Sequence, residues 1–185
     1  MQRELVERAR RGDHDAFATL AAAAISRLDG AARLILRDPD QAKDAVQETL
    51  VRAWRDLRTL RDPDRFDAWL HRLLVNSCLN EAKRLRRHRF EMELDPLDGP
   101  RTEDGAAIVV DRDELDRGFR RLAPEARAIV VLHHYLDIPM PEVALILGIP
   151  VGTSKSRLHR ALQEMRASLE ADSRLGPELT ERGLA

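Results

Sequence analysis

Cysteine is nearly missing from this chain. The single one, Cys78, excludes an intramolecular disulfide and leads us to expect a reducing, cytoplasmic setting. Aromatic residues are only 4% of the sequence, and Gly and Pro number nine each. Ala, Leu, Arg, Asp and Glu dominate instead, which favours helices over sheets. No apolar run approaches the roughly 20 residues of a membrane span, and the opening MQRELVERARRGD has no signal-peptide apolar core. Neither membrane insertion nor a secretory leader is therefore expected. Metal ligands at usable spacing are missing too. His133 and His134 are adjacent and point to different faces of one helix, while His71 and Cys78, two turns apart, supply two ligands and no site. With no constellation of nucleophile, base and orienter, no enzyme, cofactor or metal is expected.

What is present is charge, unevenly spread. The net charge is −1 overall. Residues 1–90 carry 19 Lys/Arg against 14 Asp/Glu, a net of +5; residues 91–116 carry 2 against 10, a net of −8; residues 117–170 carry 8 against 5, a net of +3. The acidic stretch also holds two prolines and two glycines, so it reads as a linker between two basic blocks.

In the first block, residues 2–10 form a short helix stopped at Gly12. From His14 to Arg37 the apolar positions Phe17, Leu20, Ala24, Leu28, Ala31 and Ile35 recur at steps of three and four, one face of a long amphipathic helix. Asp38 caps the next helix, with Pro39 at its first position and Gln41 three residues on, as in a capping box. Its buried stripe is Ala42, Ala45, Val46, Leu50, Ala53, Trp54 and Leu57. Its other side shows Lys43, Asp44, Gln47, Glu48 and Arg52, which suits either a solvated face or a partner.

The next stretch, Phe66 to Arg89, organises the chain. Asp62 and Pro63 lead into it; Phe66, Trp69, Leu70, Leu73 and Leu74 take helical spacing, and Lys83, Arg84, Arg86, Arg87 and Arg89 crowd its end. Trp54 and Trp69 flank the loop that precedes it. Aromatic rings beside dense arginine suit opened nucleic acid, where bases stack and phosphates need cations. A core helix with a wet basic end is the competing reading.

Past the acidic stretch, Leu115, Phe119 and Leu122 mark one helix, and Pro124 starts another with Ile129, Leu132 and Leu136 inward. In PMPEVALILGIPVGTSKSRLHRALQEMR a short helix buries Val143, Ala144 and Leu147. Gly148 supplies the turn, Ile149 plugs it, and a second helix starts near Gly152 with Leu158, Ala161, Leu162 and Met165 inward. Thr153, Lys155, Ser156, Arg157, His159 and Arg160 fill its first half. This is a helix-turn-helix with donors where a recognition helix meets DNA.

Together these motifs resemble the bacterial sigma-70 family, in the extracytoplasmic-function group that keeps only regions 2 and 4. DPDQAKDAVQETLVRAW (Asp38–Trp54) resembles its core-polymerase-binding helix. FDAWLHRLLVNSCLNEAKRLRR (Phe66–Arg87) resembles its promoter-melting and −10-reading helix. Arg121–Leu162 resembles its −35-reading domain. Asn80, where the family commonly has Asp, and Ser154, where it commonly has Val, depart from the pattern.

The resemblance implies an all-α chain of two small helical domains joined by an acidic linker: region 2 at 1–90, linker 91–112, region 4 at 113–170, and a tail 171–185 without clear pattern. It implies that Asp44, Gln47, Glu48 and Arg52 dock on the β′ clamp coiled coil of core RNA polymerase, with region 4 meeting the β flap. It implies that Arg61, Arg65, Trp69, Asn76, Asn80, Arg84 and Arg87 serve the −10 element, the loop Arg58–Arg65 catching a base flipped from the non-template strand. It assigns the −35 element to Thr153, Lys155, Ser156, Arg157, His159 and Arg160. Promoter DNA and an anti-sigma factor follow as partners, and the acidic linker would lie by position in the polymerase's RNA exit path. The alternative is a helix-turn-helix regulator acting without polymerase; such proteins place a signalling domain of alternating strands and helices in front, and this sequence has none.

Overall fold

Aspartates start the helices that next follow the first. Helix α1, Gln2–Arg10, ends in a turn at Gly12, whose φ of +97° only glycine adopts readily. Asp13 then accepts a hydrogen bond from the Ala16 N–H at 3.0 Å and opens α2, His14–Leu36. Asp38 accepts from the N–H groups of Asp40 and Gln41, both at 2.9 Å, and opens α3, Pro39–Asp56. The expected capping box takes a variant form, because the Gln41 amide donates to the Asp38 carboxylate at 2.8 Å. Asp62 caps a single 3₁₀ turn, Pro63–Arg65, that runs straight into α4, Phe66–Glu93. Another 3₁₀ turn, Leu57–Thr59, follows α3.

The computed structural model describes residues 1–93 and 118–181, with side chains for 1–87 and 118–170. Most of the acidic linker, Leu115 and the last four residues lie outside the described residues, as does the Arg89 side chain. Among the described residues there is no strand.

The second group begins with a helical turn at 118–121 and continues as α5, Pro124–Val130. Its last turn widens to π spacing at Val131–Tyr135. Asp137, at φ 55°, breaks the chain away, and His133 Nδ1 lies 2.9 Å from the Ile138 carbonyl, so that nitrogen carries the proton. Helix α6, Met140–Leu147, closes on Gly148 at φ 66°, with the Ile149 N–H returning to the Ala144 carbonyl at 3.0 Å. Helix α7, Val151–Glu181, follows and extends helically through most of the stretch expected to be a patternless tail.

The first group packs α1 on α2, α2 on α3, and α3 on α4. Leu28, Ile35, Leu57 and Leu74 are fully buried in it, each worth about 1.5–3 kcal/mol relative to exposure. In the second group Ile129, Leu132, Leu136, Val143 and Ala144 are buried as expected, joined by Ile146. Of the other expected core residues, Phe119, Leu147 and Leu158 are only partly buried, and Leu162 is 39% exposed. Helix α7 instead turns Ser154, Leu158, Ala161, Met165 and Ser168 inward. The Ser154 hydroxyl, fully buried where the resemblance leads one to expect Val, donates to the Val151 carbonyl at 2.7 Å.

The two groups share a seam. Helix α4 packs against α5 and α6 as well as α3, and α2 meets α5 and the π turn. Arg27 of α2 reaches the Leu136 carbonyl at 3.5 Å. The Tyr135 hydroxyl rests against Gly30, where an added Cβ would lie 2.1 Å from it, so this approach requires glycine. Arg127 of α5 is pushed down to about 10 by burial and by the charge of Arg37 at the end of α2.

Candidate nucleic-acid interface

Burial on both sides leaves α4 a single polar stripe. Phe66, Leu70, Leu74, Val75, Ser77 and Cys78 are buried, while Arg72, Asn76, Asn80, Lys83, Arg84, Arg86 and Arg87 are exposed. Arg72, Asn76, Asn80 and Lys83 follow at steps of three and four, so they line one edge of the helix. Two amides in such a row can read base edges, and the cations beyond them suit phosphates.

The arginines of this stripe differ in standing. Arg84 donates twice to Glu81, at 3.0 and 2.7 Å, and its pKa is raised by that pairing, with a smaller contribution from Asp44. Arg87 has no described acidic partner and is the more available cation. The influence of Asp44 also shows that the polar face of α3 adjoins the stripe of α4. On α3, Asp44, Gln47 and Glu48 are exposed, and Glu48 holds the partly buried Arg52 in an ion pair at 2.5 Å. Val51, 57% exposed, interrupts this charged face with an apolar patch that the sequence pattern had not flagged.

At the loop before α4, Arg61 is exposed without a described partner, and Arg65 sits 3.7 Å from Asp62. Trp69 is half-buried against Phe66, their rings 6.1 Å apart. Trp54 stacks under His14 at 4.4 Å and beside Phe17 at 5.1 Å, so it belongs to the α2–α3 junction more than to the loop.

On α7, Lys155, Ser156, Arg157, His159 and Arg160 are exposed over the first turns, and Thr153 is partly buried. None of Lys155, Arg157, His159 and Arg160 has an ion pair among the described residues, so their donors are unspent. The Ser156 hydroxyl donates to the Thr153 carbonyl at 3.0 Å. The sequence-expected residues thus fall into three exposed sets, on α3, along the loop and α4, and on α7.

The Cys78 thiol is pushed up to about 12 by burial, which removes it as a nucleophile. Among the described residues no three His, Cys, Asp or Glu come together as metal ligands, and no helix is long and apolar enough to cross a membrane.

Comparison with known proteins follows the same division. The family profile described as sigma-70 region 2 matches residues 20–88, and that described as sigma-70, region 4 matches residues 112–165. The chain is 35% identical over 138 residues to an RNA polymerase sigma-E factor of Streptomyces antibioticus, covering 74% of each. It is 33% identical over 136 residues to the ECF RNA polymerase sigma factor SigL of Mycobacterium tuberculosis, covering 72% of this chain and 77% of that protein. Among solved structures, CnrH in complex with the cytosolic domain of CnrY superposes with a TM-score of 0.68 at 30% identity, over 92% of this chain and 98% of that one. The sigma factor RpoE of Bartonella quintana, solved with the anti-sigma factor NepR, reaches the same TM-score at 22% identity, covering 84% and 98%, a likeness of fold alone.

Proposed function

Because the chain belongs to the sigma-70 family, in its extracytoplasmic-function group, and so directs promoter-specific transcription, we propose that its three exposed polar sets divide that work. The face of α3 with Asp44, Gln47, Glu48 and Arg52 binds core RNA polymerase at the β′ clamp coiled coil. The row Arg61, Arg65, Trp69, Asn76, Asn80, Arg84 and Arg87 meets the −10 element, with Arg87 as the principal phosphate contact because Arg84 is engaged by Glu81. The first turns of α7, from Thr153 to Arg160, read the −35 duplex. The factor works beside polymerase in the cytoplasm and makes no covalent bond of its own. Its family is one of non-enzymatic initiation factors.

The observation that carries this reading is the exposed Asn76, Asn80 and Arg87 of α4, next to an equally exposed acidic face on α3. Protein partners beyond polymerase are supported by CnrH, solved with the cytosolic domain of another protein. An anti-sigma factor is the partner proposed here. A regulator acting without polymerase is disfavoured, since the region 2 match spans residues 20–88.

Charge reversal tests the polymerase face. Asp44→Lys with Glu48→Lys leaves the buried side of α3 untouched but breaks the Glu48–Arg52 pair and sets like charges at i,i+4, so thermal stability falls by no more than about 1 kcal/mol. Pull-down of core polymerase and run-off transcription both fall sharply. Full core binding by the folded double variant refutes the assignment.

A further inference from the structure

The arginines around α1 divide into two kinds. Arg3 pairs with Glu7 at 3.3 Å and with Asp64; Arg8 pairs with Asp13 at 2.8 Å; Arg55 and Arg65 pair with Asp56 and Asp62. These contacts occupy Glu7, Asp64, Asp13, Asp56 and Asp62. Arg10, Arg11 and Arg58 have no acid partner among the described residues. Yet these three, with Glu7, line one cleft of about 280 Å³ between the end of α1 and the 3₁₀ turn after α3.

Three guanidinium groups around one cleft repel each other, and the only carboxylate there is already held by Arg3. The arrangement is also held in place. Arg11 and Gly12 donate backbone bonds to the Arg8 and Ala9 carbonyls at 3.0 and 2.9 Å, Arg8 grips Asp13, and Asp13 caps α2. At its other end α1 is tied down by Arg3 on Asp64 and by Gln2 on Asp67 at 2.8 Å. The backbone that carries Arg10 and Arg11 is therefore fixed, and guanidinium forks fit phosphate oxygens, which they grip bidentately.

We propose that this cleft seats a backbone phosphate of the opened DNA strand as it leaves the loop Arg58–Arg65. The proposal rests on the promoter-opening role given above and extends it to a helix, α1, that the −10 assignment leaves unused. Arg58 opens that loop, and Arg10 and Arg11 lie roughly 12 Å along α1 from the contact of Arg3 with Asp64. Arg58 stands both at the start of the loop and in the cleft's lining, so a strand caught at the loop lies beside the cleft. The His14–Trp54 stack, three residues beyond Arg11 and one turn before Arg58, adds an aromatic surface of the kind that accompanies single strands. The space is of the order of one nucleotide's phosphate and sugar.

The test uses the full chain with core polymerase on a promoter already unpaired across its −10 region. Arg10→Ala, Arg11→Ala and Arg58→Ala are combined, beside the matching triple Lys variant. The slope of log affinity against log salt is expected to fall by about 0.7 for each single-strand phosphate that the Ala variant no longer neutralises, and to hold in the Lys variant. Arg33→Ala, which removes one exposed charge of α2 far along the chain, leaves the slope near wild type. Core binding and melting temperature are unchanged throughout. A triple Ala variant with the wild-type slope, or one that weakens as much on a −35 duplex that ends before the unpaired region, overturns the cleft. A wild-type chain that forms no complex on the unpaired promoter overturns the promoter-opening role itself, and the two failures are told apart by that control.

Discussion

His71 shows how one buried side chain links the fold to pH. It sits on α4 facing Arg27, and its pKa is held below the ordinary histidine range by burial, with Arg27 adding to the effect and Asp67 opposing it. A histidine whose folded pKa is lowered binds fewer protons in the native than in the unfolded state below about pH 6.5. Stability therefore rises with pH through that window and declines on acidification. The urea midpoint should drop between pH 7 and pH 5, and the drop should shrink in His71→Gln. Equal drops in both proteins would place the acid sensitivity elsewhere. Ser77, one turn before Glu81, presents a different residue-scale feature: its hydroxyl is fully buried and finds no partner among the described residues.

Among the helices, α4 and α7 carry cations in unlike settings, and this separates positioning from reading. Arg87 lies on a crowded exposed run with Lys83, Arg84 and Arg86, where no side chain has room to address one base. Arg157 stands exposed within the first two turns of α7, where a recognition helix meets the major groove. Arg87→Ala is expected to weaken promoter binding alike across sequences and to lower the salt slope by roughly 0.7 to 0.9. Arg157→Ala is expected to cost about 1–3 kcal/mol on the cognate −35 element and to flatten discrimination there. Salt titrations on cognate and scrambled promoters check both, and exchanged behaviour would reverse the roles. The helices themselves were legible, because Asp38 and Asp62 are caps and Gly148 is a turn residue whichever way the chain packs, while the cap Asp13 was found only in the structure. The register of α7 was less so: Leu158, Leu162 and Met165 make as regular an apolar row as Ser154, Leu158, Ala161 and Met165, and only packing against α6 puts Leu162 outside. Arg10 and Arg11 were missed as site residues because a basic last turn is also what the helix dipole favours.

The seam was not legible either, since alanine- and leucine-rich faces do not name their partners, and each group looked able to close its own core. With α4 against α6, and α6 against α7, the stripe proposed for the −10 element and the first turns of α7 are about 20 Å apart across the helices, with the roughly 42 Å length of α4 along them. DNA elements named for positions −35 and −10 lie roughly 25 base pairs apart, or about 85 Å at 3.4 Å per step. Both cannot be read at once while the seam is closed. Across the seam, beside the apolar faces of α2, α4, α5 and α6, lie a long hydrogen bond from Arg27 to Leu136 and the seat of half-exposed Tyr135 on Gly30. We therefore expect the promoter complex to hold it open. Dyes placed through Thr19→Cys on α2 and Gln163→Cys on α7 would report this, because buried Cys78, its thiol pushed up to about 12, does not compete for label. Energy transfer should be high in the free chain and fall when core polymerase and promoter are added. Gly30→Leu, which drives Tyr135 from its seat, should lower transfer in the free chain alone. Transfer that stays unchanged on forming the promoter complex would mean that the closed seam survives transcription initiation, and that the −10 and −35 elements are not engaged by one chain at the same time.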